Sequence, residues 1–544
     1  MEKQSAVDLF ARLDQLNRIG AALSRERNIE RLLENILEAA KALTGADGGT
    51  LYSVTEDRTA LRFEIMRTDS LGIRLGGTTG KRIELPDLPL RRPDGAPNDA
   101  LVAAHTALHG RTVNVADAYA HKGFDFSGTR AFDQRTGYRS QSLLTVPMTD
   151  HQGELIGVLQ LLNARDPVTG QVVAFSPADQ SLSESLASQA AIALSNRLLI
   201  TQLERLFESF VKLINIAIDE KSPYTGGHCE RVPELTMMLA EAADATTTGP
   251  LAAFRMSERD RYELQMAGLL HDCGKITTPV HVVDKATKLQ TLYDRIGLVD
   301  TRFEVAKRDA ELEALRAQLA LRPVVDAGAE AVALAGLQRE LQALDAERDF
   351  LRQCNRGVEA MQAAEQQRVR DIAARRQWRN ADGVQTAFLS AEEVENLTIR
   401  AGTLTQAERD TINYHIVATI KMLEALPWPQ HLKRVPEYAG GHHERMDGKG
   451  YPRGLTREQM SWQARMMGIA DIFEALTAAD RPYKSGMKLS QALAIMQRMK
   501  HGGHIDPDLF EVFVREKVYQ RYADRFLDAE QIDAVDAAGF FTPV

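Results

Sequence analysis

Two adjacent histidines are the most informative feature of this chain. His442 and His443 precede a carboxylate, Glu444, and a glycine-rich turn that ends at Tyr451-Pro452. Side chains of neighbouring residues point well apart on regular backbone, so the pair cannot easily serve one metal ion from one face. The two histidines can serve two ions side by side. The pattern therefore predicts a two-metal centre in which oxygen attacks phosphorus.

Further ligand candidates occur at well-separated positions. His271-Asp272 follows an apolar run, which predicts a buried helix that ends near Gly274. Lys275 lies four residues after His271, on the same helical face if the helix continues that far. Three other candidates are isolated in helical or apolar surroundings, namely His228, His415 and Asp471. A dinuclear site for first-row metals needs imidazoles and carboxylates of this kind.

Each candidate taken alone has a simpler explanation. A single histidine in a helix is more often a hydrogen-bonded core or surface residue than a ligand, and short motifs often occur by chance. The complete set is different, because the candidates follow one another in a consistent order together with a lysine suited to phosphate and the glycine turn. The set favours a metal centre over coincidence.

Residues 211–289 and 402–544 resemble an HD-GYP domain, the cyclic di-GMP phosphodiesterase branch of the HD superfamily. The resemblance rests on five segments: 271–275, 285–289, 402–405, 442–452 and 480–484. It implies that the metal ions are held by His271, Asp272, His415, His442, His443 and Asp471, with His228 as an additional ligand or close neighbour. It also implies that Lys275, Arg481 and Lys484 hold the substrate phosphates, since arginine offers a planar fork and lysine a compact charge.

The chain departs from the family pattern at two positions. Some members bind a third metal ion through a carboxylate one turn before the residue that matches His228, but here that position is Tyr224. Two divalent ions are therefore expected, iron or manganese by the ligand mix, and three remain the alternative. Glu474 stands where the family often has Asp, and we expect it to support the ligands rather than bind metal.

The resemblance implies a phosphodiesterase that hydrolyses cyclic di-GMP to pGpG, to GMP, or to both. Asp272 and Lys275 are the expected catalytic residues, and Tyr451 is a candidate for contact with the substrate or with a partner protein. Two alternatives stay open at this point. One is hydrolysis of another cyclic dinucleotide, and the other is a non-catalytic cyclic di-GMP receptor or adaptor.

Composition narrows the class of protein. With 544 residues the chain has room for two or more domains, and its 26% charged and 44% hydrophobic residues are typical of soluble proteins. The net charge of −9 argues against a nucleic-acid-binding surface. The three cysteines are scattered, and neither a signal peptide nor a membrane span is recognisable. These features predict a cytoplasmic protein.

The first part of the chain, residues 1–176, is predicted to be an α+β sensor domain. Alternating strands over 50–54, 143–148 and 155–162 lie between helical segments, and 150–153 reads as a hairpin turn. This region resembles a GAF domain, and in part a GAF domain that binds cyclic nucleotides. The resemblance implies four ligand-binding candidates: Asn114, Lys122, Phe132 and Asp133. The alternative is that these residues only shape a pocket wall and a dimer face.

A connecting helix is predicted over residues 177–210. Leu199, Leu203, Leu206, Phe210 and Leu213 recur with the spacing of a heptad seam. Such a seam predicts a homodimer whose helix carries a signal from the sensor. The alternative is that this face packs on its own domain.

The catalytic domain, 211–544, is predicted to be all-α and to contain an insertion at about 290–400. Leucines at 312, 315 and 319 mark one seam, and a second follows over 334–351. Pro323 and Gly328 separate the two seams, which predicts an inserted hairpin of antiparallel helices. Partner docking, a dimer contact and covering of the active site are equally open roles.

Overall fold

The computed structural model describes residues 2–221, 227–320, 327–357, 360–479 and 486–541. By its internal contacts the chain divides into two units, residues 1–207 and 208–544. One helix, α5, runs over Pro177–Lys221 and contains the predicted connecting segment. None of the described helices combines the length and apolar character needed to cross a bilayer.

A mixed-length antiparallel sheet forms the centre of the first unit. The strands are β1 Ala46–Val54, β2 Ala60–Thr68, β3 Ile73–Gly76, β4 Leu88–Pro89, β5 Val113–Val115, β6 Leu143–Thr149, β7 Leu155–Arg165 and β8 Val172–Val173. Their order in the sheet is β3-β2-β1-β7-β6-β5, with β4 beside β2 and β8 beside β7. Strands β6 and β7 pair as the predicted hairpin. Asp150 closes its turn by accepting hydrogen bonds from the backbone N–H groups of Gln152 and Glu154, both at 2.9 Å.

Helices cover both faces of this sheet. They are α1 Glu2–Leu23, α2 Ile29–Thr44, α3 Val102–His109, α4 Ser127–Thr136 and the first part of α5. Because side chains alternate along a strand, Leu51 joins the core under α2 and α5, whereas its neighbour Tyr52 joins the core under α3. The unit is therefore the predicted α+β domain.

The second unit is mostly helical. Its helices are α6 His228–Ala245, α7 Glu258–Leu270, α8 Val280–Val283, α9 Ile296–Ala320, α10 Ala327–Asn355, α11 Ala363–Arg375, α12 Ala391–Leu397, α13 Gln406–Glu424, α14 Val435–Gly440, α15 Trp462–Thr477, α16 Leu489–His501, α17 Pro507–Arg515 and α18 Val518–Phe526. Helix α6 packs on α7 and α15, and α14 contacts α7, α13 and α15. These contacts bring the five helices α6, α7, α13, α14 and α15 together.

The predicted inserted hairpin is present but is only part of a larger subdomain. Helices α9 and α10 pack together, and their base shares a core with α11 and α12 that includes Phe303, Leu351 and Phe388. Strands β9 Gln377–Arg379 and β10 Gln385–Ala387 form a short hairpin within it, in a domain that is otherwise helical as predicted. The turn between them has Gly383 at φ 78° and Asn380 accepting backbone hydrogen bonds, a signal that is readable in the sequence.

Candidate metal centre

The second unit brings the seven predicted metal ligands together. His228 is the first residue of α6, and His271 and Asp272 directly follow α7. His415 lies within α13, the His442-His443 pair follows α14, and Asp471 lies on α15. All are buried except His443 and Asp471, which are half-buried. Residues up to about 240 positions apart in sequence thus share one interior site.

The end of α7 differs from the sequence expectation. The α-helix ends at Leu270, and a 3-10 helix, Cys273–Thr277, follows Asp272. Lys275 consequently donates to Asp272 Oδ2 at 2.5 Å instead of sharing a helical face with His271. The cause is the close approach of Gly274 to α13, where its N–H donates to Thr419 Oγ1 at 2.9 Å.

Three of the histidines are oriented by backbone carbonyls in the same way. The Nδ1 atom of His271 donates to Gly268 O at 2.7 Å, that of His415 to Ile412 O at 2.5 Å, and that of His442 to Ala439 O at 2.6 Å. A carbonyl oxygen can only accept, so Nδ1 carries the proton in each ring. Each Nε2 then presents a lone pair to the interior, as a metal-ligating imidazole does.

The ligand atoms form two groups, one on each side of Asp272. His228, His271 and Asp272 make up the first group, and His415, His442 and His443 make up the second, each with its ligand atoms within 4.8 Å of one another. The expectation that His442 and His443 point apart toward two ions was therefore wrong, since their ring centres lie 4.1 Å apart in one group. Asp272 Oδ2 lies 3.1 Å from His228 Nε2 and 3.2 Å from His271 Nε2. Its other oxygen, Oδ1, lies 3.3 Å from His415 Nε2. Asp272 therefore occupies the position of a carboxylate that bridges two sites.

Buried acceptors that lack a donor test whether this centre fits metal ions. Within the second group, His443 Nε2 lies 3.2 Å from His415 Nε2. Among the described residues, His442 Nε2 and Asp272 Oδ1 are buried without a hydrogen-bond partner. A buried acceptor that receives no hydrogen bond is unfavourable unless a cation lies beside it. The donor set of imidazoles and carboxylates fits divalent first-row ions.

The pKa shifts of four residues in the two groups and beside them favour metal binding. Burial lowers the pKa of His442 well below its usual value and that of His443 to about 4, so both rings are neutral near pH 7. Burial opposes ionisation of Asp272, but the charge of Lys275 beside it holds its pKa well below the usual range. Burial also opposes ionisation of Asp471, whose Oδ1 lies 3.4 Å from His228 Nε2, but the hydrogen bond and the charge of His228 together with the neighbouring histidines lower its pKa. Neutral imidazoles and ionised carboxylates are the protonation states that metal binding requires.

Comparison with known families identifies both parts of the chain. Residues 28–194 match the GAF domain family. Two segments, 225–333 and 355–509, match HD domain families, and together they contain all seven residues of the metal centre. The chain carries a GAF domain and an HD domain.

Relatives of the HD domain include named phosphodiesterases. A 3'3'-cGAMP-specific phosphodiesterase of Vibrio cholerae is 46% identical over 88 residues, which cover 16% of this chain and 20% of the relative. A cyclic di-GMP phosphodiesterase of Pseudomonas aeruginosa is 39% identical over 116 residues, covering 21% of this chain and 27% of the relative. The matched regions thus span about a quarter or less of these relatives. Their names are consistent with the HD-GYP branch.

A solved GAF domain is similar to the first unit. The GAF domain of an Acinetobacter phosphoenolpyruvate-protein phosphotransferase is 17% identical, with a TM-score of 0.26. The match covers 98% of that domain and 35% of this chain.

The predicted ligand candidates of the GAF domain are in different environments. Asp133 is buried, and its oxygens accept hydrogen bonds from Tyr119 Oη at 2.8 Å and from the Ser140 backbone and hydroxyl at 2.8 and 2.9 Å. Asn114 donates to the Phe175 carbonyl at 3.2 Å. Lys122 is exposed and Phe132 is half-buried. Among the described residues, no hydrogen bond joins one of these four side chains to another.

The substrate-binding candidates of the HD domain are described only in part. Arg481 and Lys484, like Tyr224, lie outside the described residues. The Tyr451 ring stacks on His443 with 4.9 Å between ring centres. Glu444, the carboxylate beside the histidine pair, accepts from the Arg453 and Leu455 backbone N–H groups and thereby closes the glycine turn.

Three supporting residues were missed from the sequence. Arg231 pairs with Glu474 at 2.7 Å, and Glu474 Oε2 accepts a hydrogen bond from His228 Nδ1 at 2.6 Å, which orients that ring. Thr419 holds Gly274, and Lys221 at the end of α5 donates to the carbonyls of Lys275, at 3.2 Å, and Ile276. Arg231 could have been found in the sequence, because it lies one helical turn after His228. The roles of Thr419 and Lys221 depend on tertiary packing and have no local signal.

Proposed function

We propose that this protein is a metal-dependent phosphodiesterase that hydrolyses cyclic di-GMP to pGpG, GMP or both, under the control of its GAF domain. The observation that carries the proposal is the position of Asp272 between two groups of histidines, with the ammonium of Lys275 on the same carboxylate. A carboxylate that could bridge two metal ions, with an ammonium beside it, suits a site where water attacks a phosphodiester. Two iron or manganese ions are the proposed cofactors, with a third as the alternative.

The ligands are His228, His271, Asp272, His415, His442, His443 and Asp471. When bound, two divalent ions lower the pKa of water and neutralise charge on phosphoryl oxygens. The protein holds the imidazoles in place through backbone carbonyls, and Glu474 does the same for His228. Asp272 and Asp471 would offset the positive charge of bound ions. The chain thus contributes a preformed site that needs little reorganisation when the reaction begins.

Lys275 is the residue best placed to hold a phosphate beside the centre. Its ammonium carries three protons, and the bond to Asp272 Oδ2 uses one of them. Burial opposes the charge, but Asp272 raises the pKa of Lys275, so the ammonium form persists at neutral pH. Arg481 and Lys484 are proposed to hold the second phosphate, and Tyr451, stacked on His443, is proposed to contact the substrate or a partner protein.

A second substrate is favoured by one specific observation. The Vibrio cholerae relative is named for 3'3'-cGAMP, which differs from cyclic di-GMP in one purine. Both nucleotides present the same two phosphodiesters to the metal centre, so the residues described here do not separate them.

Turnover of the full chain tests the proposal. Protein reconstituted anaerobically with Fe²⁺, or with Mn²⁺, is given cyclic di-GMP or 3'3'-cGAMP, and linear products are separated by chromatography. We expect hydrolysis of cyclic di-GMP and its abolition when the ions are chelated, because the ligands alone provide no nucleophile. Faster hydrolysis of 3'3'-cGAMP would favour the second substrate. Tight binding of cyclic di-GMP without any product would show that the protein is a cyclic di-GMP receptor and not an enzyme.

The exposed apolar side of α5 supports a homodimer. Leu203, Leu206, Phe210 and Leu213 are 65%, 53%, 56% and 58% exposed, and their spacing of three and four residues places them on one side of the helix. Burial of each such side chain against a second copy would stabilise association by about 2 kcal/mol. We propose that two chains pair along this stripe and that the pairing carries the GAF signal. The three buried, unpaired cysteines fit the proposed cytoplasmic location.

A charge placed in the stripe tests the homodimer. We expect the double variant Leu203→Glu, Phe210→Glu of the full chain to elute with the mass of one chain, whereas the wild-type protein has twice that mass. Gln202→Glu, which adds a charge at an exposed position beside the stripe, should leave the dimer intact. Light scattering on eluting protein gives the masses. Equal masses for the wild type and the double variant would rule out this interface.

The remaining proposals concern regulation. A small molecule or cyclic nucleotide is proposed to bind the GAF domain near Asn114, Lys122, Phe132 and Asp133. The inserted hairpin is proposed to dock a partner protein, since Leu312, Leu315, Leu319 and Leu334 are each about half exposed along its outer part. Contact between dimer subunits and covering of the active site are the other roles that such a hairpin can have.

A further inference from the structure

A second group of metal-binding side chains lies in the GAF domain. His105 and His109 are four residues apart on α3, so they occupy one side of the helix, and their ring centres are 4.4 Å apart. Asp99 lies three residues before the first residue of α3. The ligand atoms of these three residues lie within 4.8 Å of one another. The group belongs to the first unit and is not part of the HD centre.

One carboxylate oxygen faces both imidazoles. Asp99 Oδ1 lies 2.7 Å from His109 Nε2 and 3.1 Å from His105 Nδ1. The two histidines therefore present different ring nitrogens to the same point. Exposed side chains lose rotamer entropy when they are held in one geometry, so this convergence has a cost that a bound ion would offset.

The backbone on both sides of the group is anchored. On α3, Ala103 and Ala104 are buried in the core that contains Tyr52 and Val158. Before α3, the Asn98 side chain donates to the Pro89 carbonyl at 2.8 Å and its backbone N–H donates to the Leu90 carbonyl at 2.9 Å. These contacts fix the distance between Asp99 and the helix. The ligands thus stand on rigid elements, as a metal site requires.

An aromatic ring restricts one of the histidines. Phe124 makes an edge contact with His105 at 5.2 Å between ring centres. His121 stacks on Phe124 at 5.5 Å and is not a member of the group of three. Partial apolar cover of this kind reduces competition from water for the metal. The exposed fractions of 47% for Asp99, 30% for His105 and 44% for His109 leave the group open to ions from solution.

We propose that Asp99, His105 and His109 bind one divalent transition-metal ion of the Zn²⁺ or Co²⁺ class. Two imidazoles at positions i and i+4 of a helix are a known arrangement for zinc, and a carboxylate completes a three-ligand set. The remaining coordination positions stay open to water or to a small anionic ligand. Magnesium and calcium are disfavoured because they prefer oxygen ligands. A simpler explanation, two neutral rings that both donate to Asp99, requires no ion.

Counting ions in the full chain separates the two explanations. Metal-free wild-type protein and the double variant His105→Ala, His109→Ala are dialysed against Co²⁺, and the bound metal is measured by elemental analysis. We expect the variant to hold one ion fewer per chain, while ions at the HD centre are common to both proteins and cancel. His151→Ala removes an exposed imidazole from the β6–β7 turn and should hold as many ions as the wild type.

A second variant with a smaller structural change shows whether the loss of metal comes from misfolding. Asp99→Asn keeps the size of the side chain and should weaken Co²⁺ binding to this site by at least about 10-fold, seen in the cobalt absorption bands. Turnover of the proposed substrate is not needed for either readout, so failure of the proposed function leaves this test intact. Equal ion counts in the wild type and the double variant, or unchanged affinity in Asp99→Asn, would overturn the metal site.

Discussion

Asp272→Asn should abolish hydrolysis of cyclic di-GMP. The substitution keeps the size of the side chain but removes the negative charge that faces both groups of histidines and Lys275. An amide cannot bridge two cations as a carboxylate does, so we expect at least one metal ion per chain to be lost. Turnover should fall by at least about 1,000-fold, equivalent to about 4 kcal/mol of transition-state stabilisation. Product formation and metal content are measured on the same sample.

The matched control for this variant is Asp410→Asn. Asp410 is an exposed carboxylate on α13, the helix that carries His415, and it accepts a hydrogen bond from Gln406 at 2.8 Å. The asparagine oxygen can still accept this bond, so metal content and turnover should equal those of the wild type. If Asp272→Asn retains its ions and its turnover, then the centre described here is not the site of reaction.

Gly274→Ala should damage both stability and the metal centre. A Cβ atom at this position would lie 2.0 Å from the His415 carbonyl oxygen and 2.5 Å from the Thr419 backbone nitrogen. Both are backbone atoms of α13, so relief requires that the helix move away from the 3-10 helix Cys273–Thr277. Overpacking of this severity should lower the free energy of unfolding by about 3 kcal/mol. The displacement of His415 from Asp272 should lower turnover by on the order of 100-fold.

Chemical denaturation and turnover measure the two effects of Gly274→Ala. Gly336→Ala is the matched control, because Gly336 lies within α10 and a Cβ there would meet no atom within 4 Å. In a helix interior this control should increase stability by up to about 1 kcal/mol, since alanine has the higher helix propensity. If Gly274→Ala has the stability and the turnover of the wild type, the prediction is wrong. The close approach of α13 to the His271–Lys275 segment would then not be required.

Much of the fold was predictable because it depends on local patterns. The β6–β7 hairpin follows from alternation of apolar residues on either side of a glycine turn, and the inserted α9–α10 hairpin follows from leucine spacing interrupted by Pro323 and Gly328. The subdomain around that hairpin was not predicted. Its core joins Phe303, Leu351 and Phe388, which are far apart in sequence, and no local period connects them.

The candidate site was predictable as a set of residues but not as a geometry. Residue types and order alone indicated the seven ligand candidates, because imidazoles and carboxylates suit such ions. The tertiary structure decided which ligands share a group, and it placed Asp272 between the two groups. It also turned Lys275 toward Asp272, since the approach of Gly274 to α13 ends the α-helix at Leu270.

The sequence by itself determined the chemistry of this protein: the donor atoms available, the predicted pair of domains, and the apolar stripe on the helix that begins at Pro177. Only the tertiary structure decided distances and protonation. Examples are the contact of His228 with Glu474 across 246 positions and the lowered pKa values of His442 and His443. Such properties depend on burial and on neighbours from distant segments. Packing creates that environment, and no local pattern of residues specifies it.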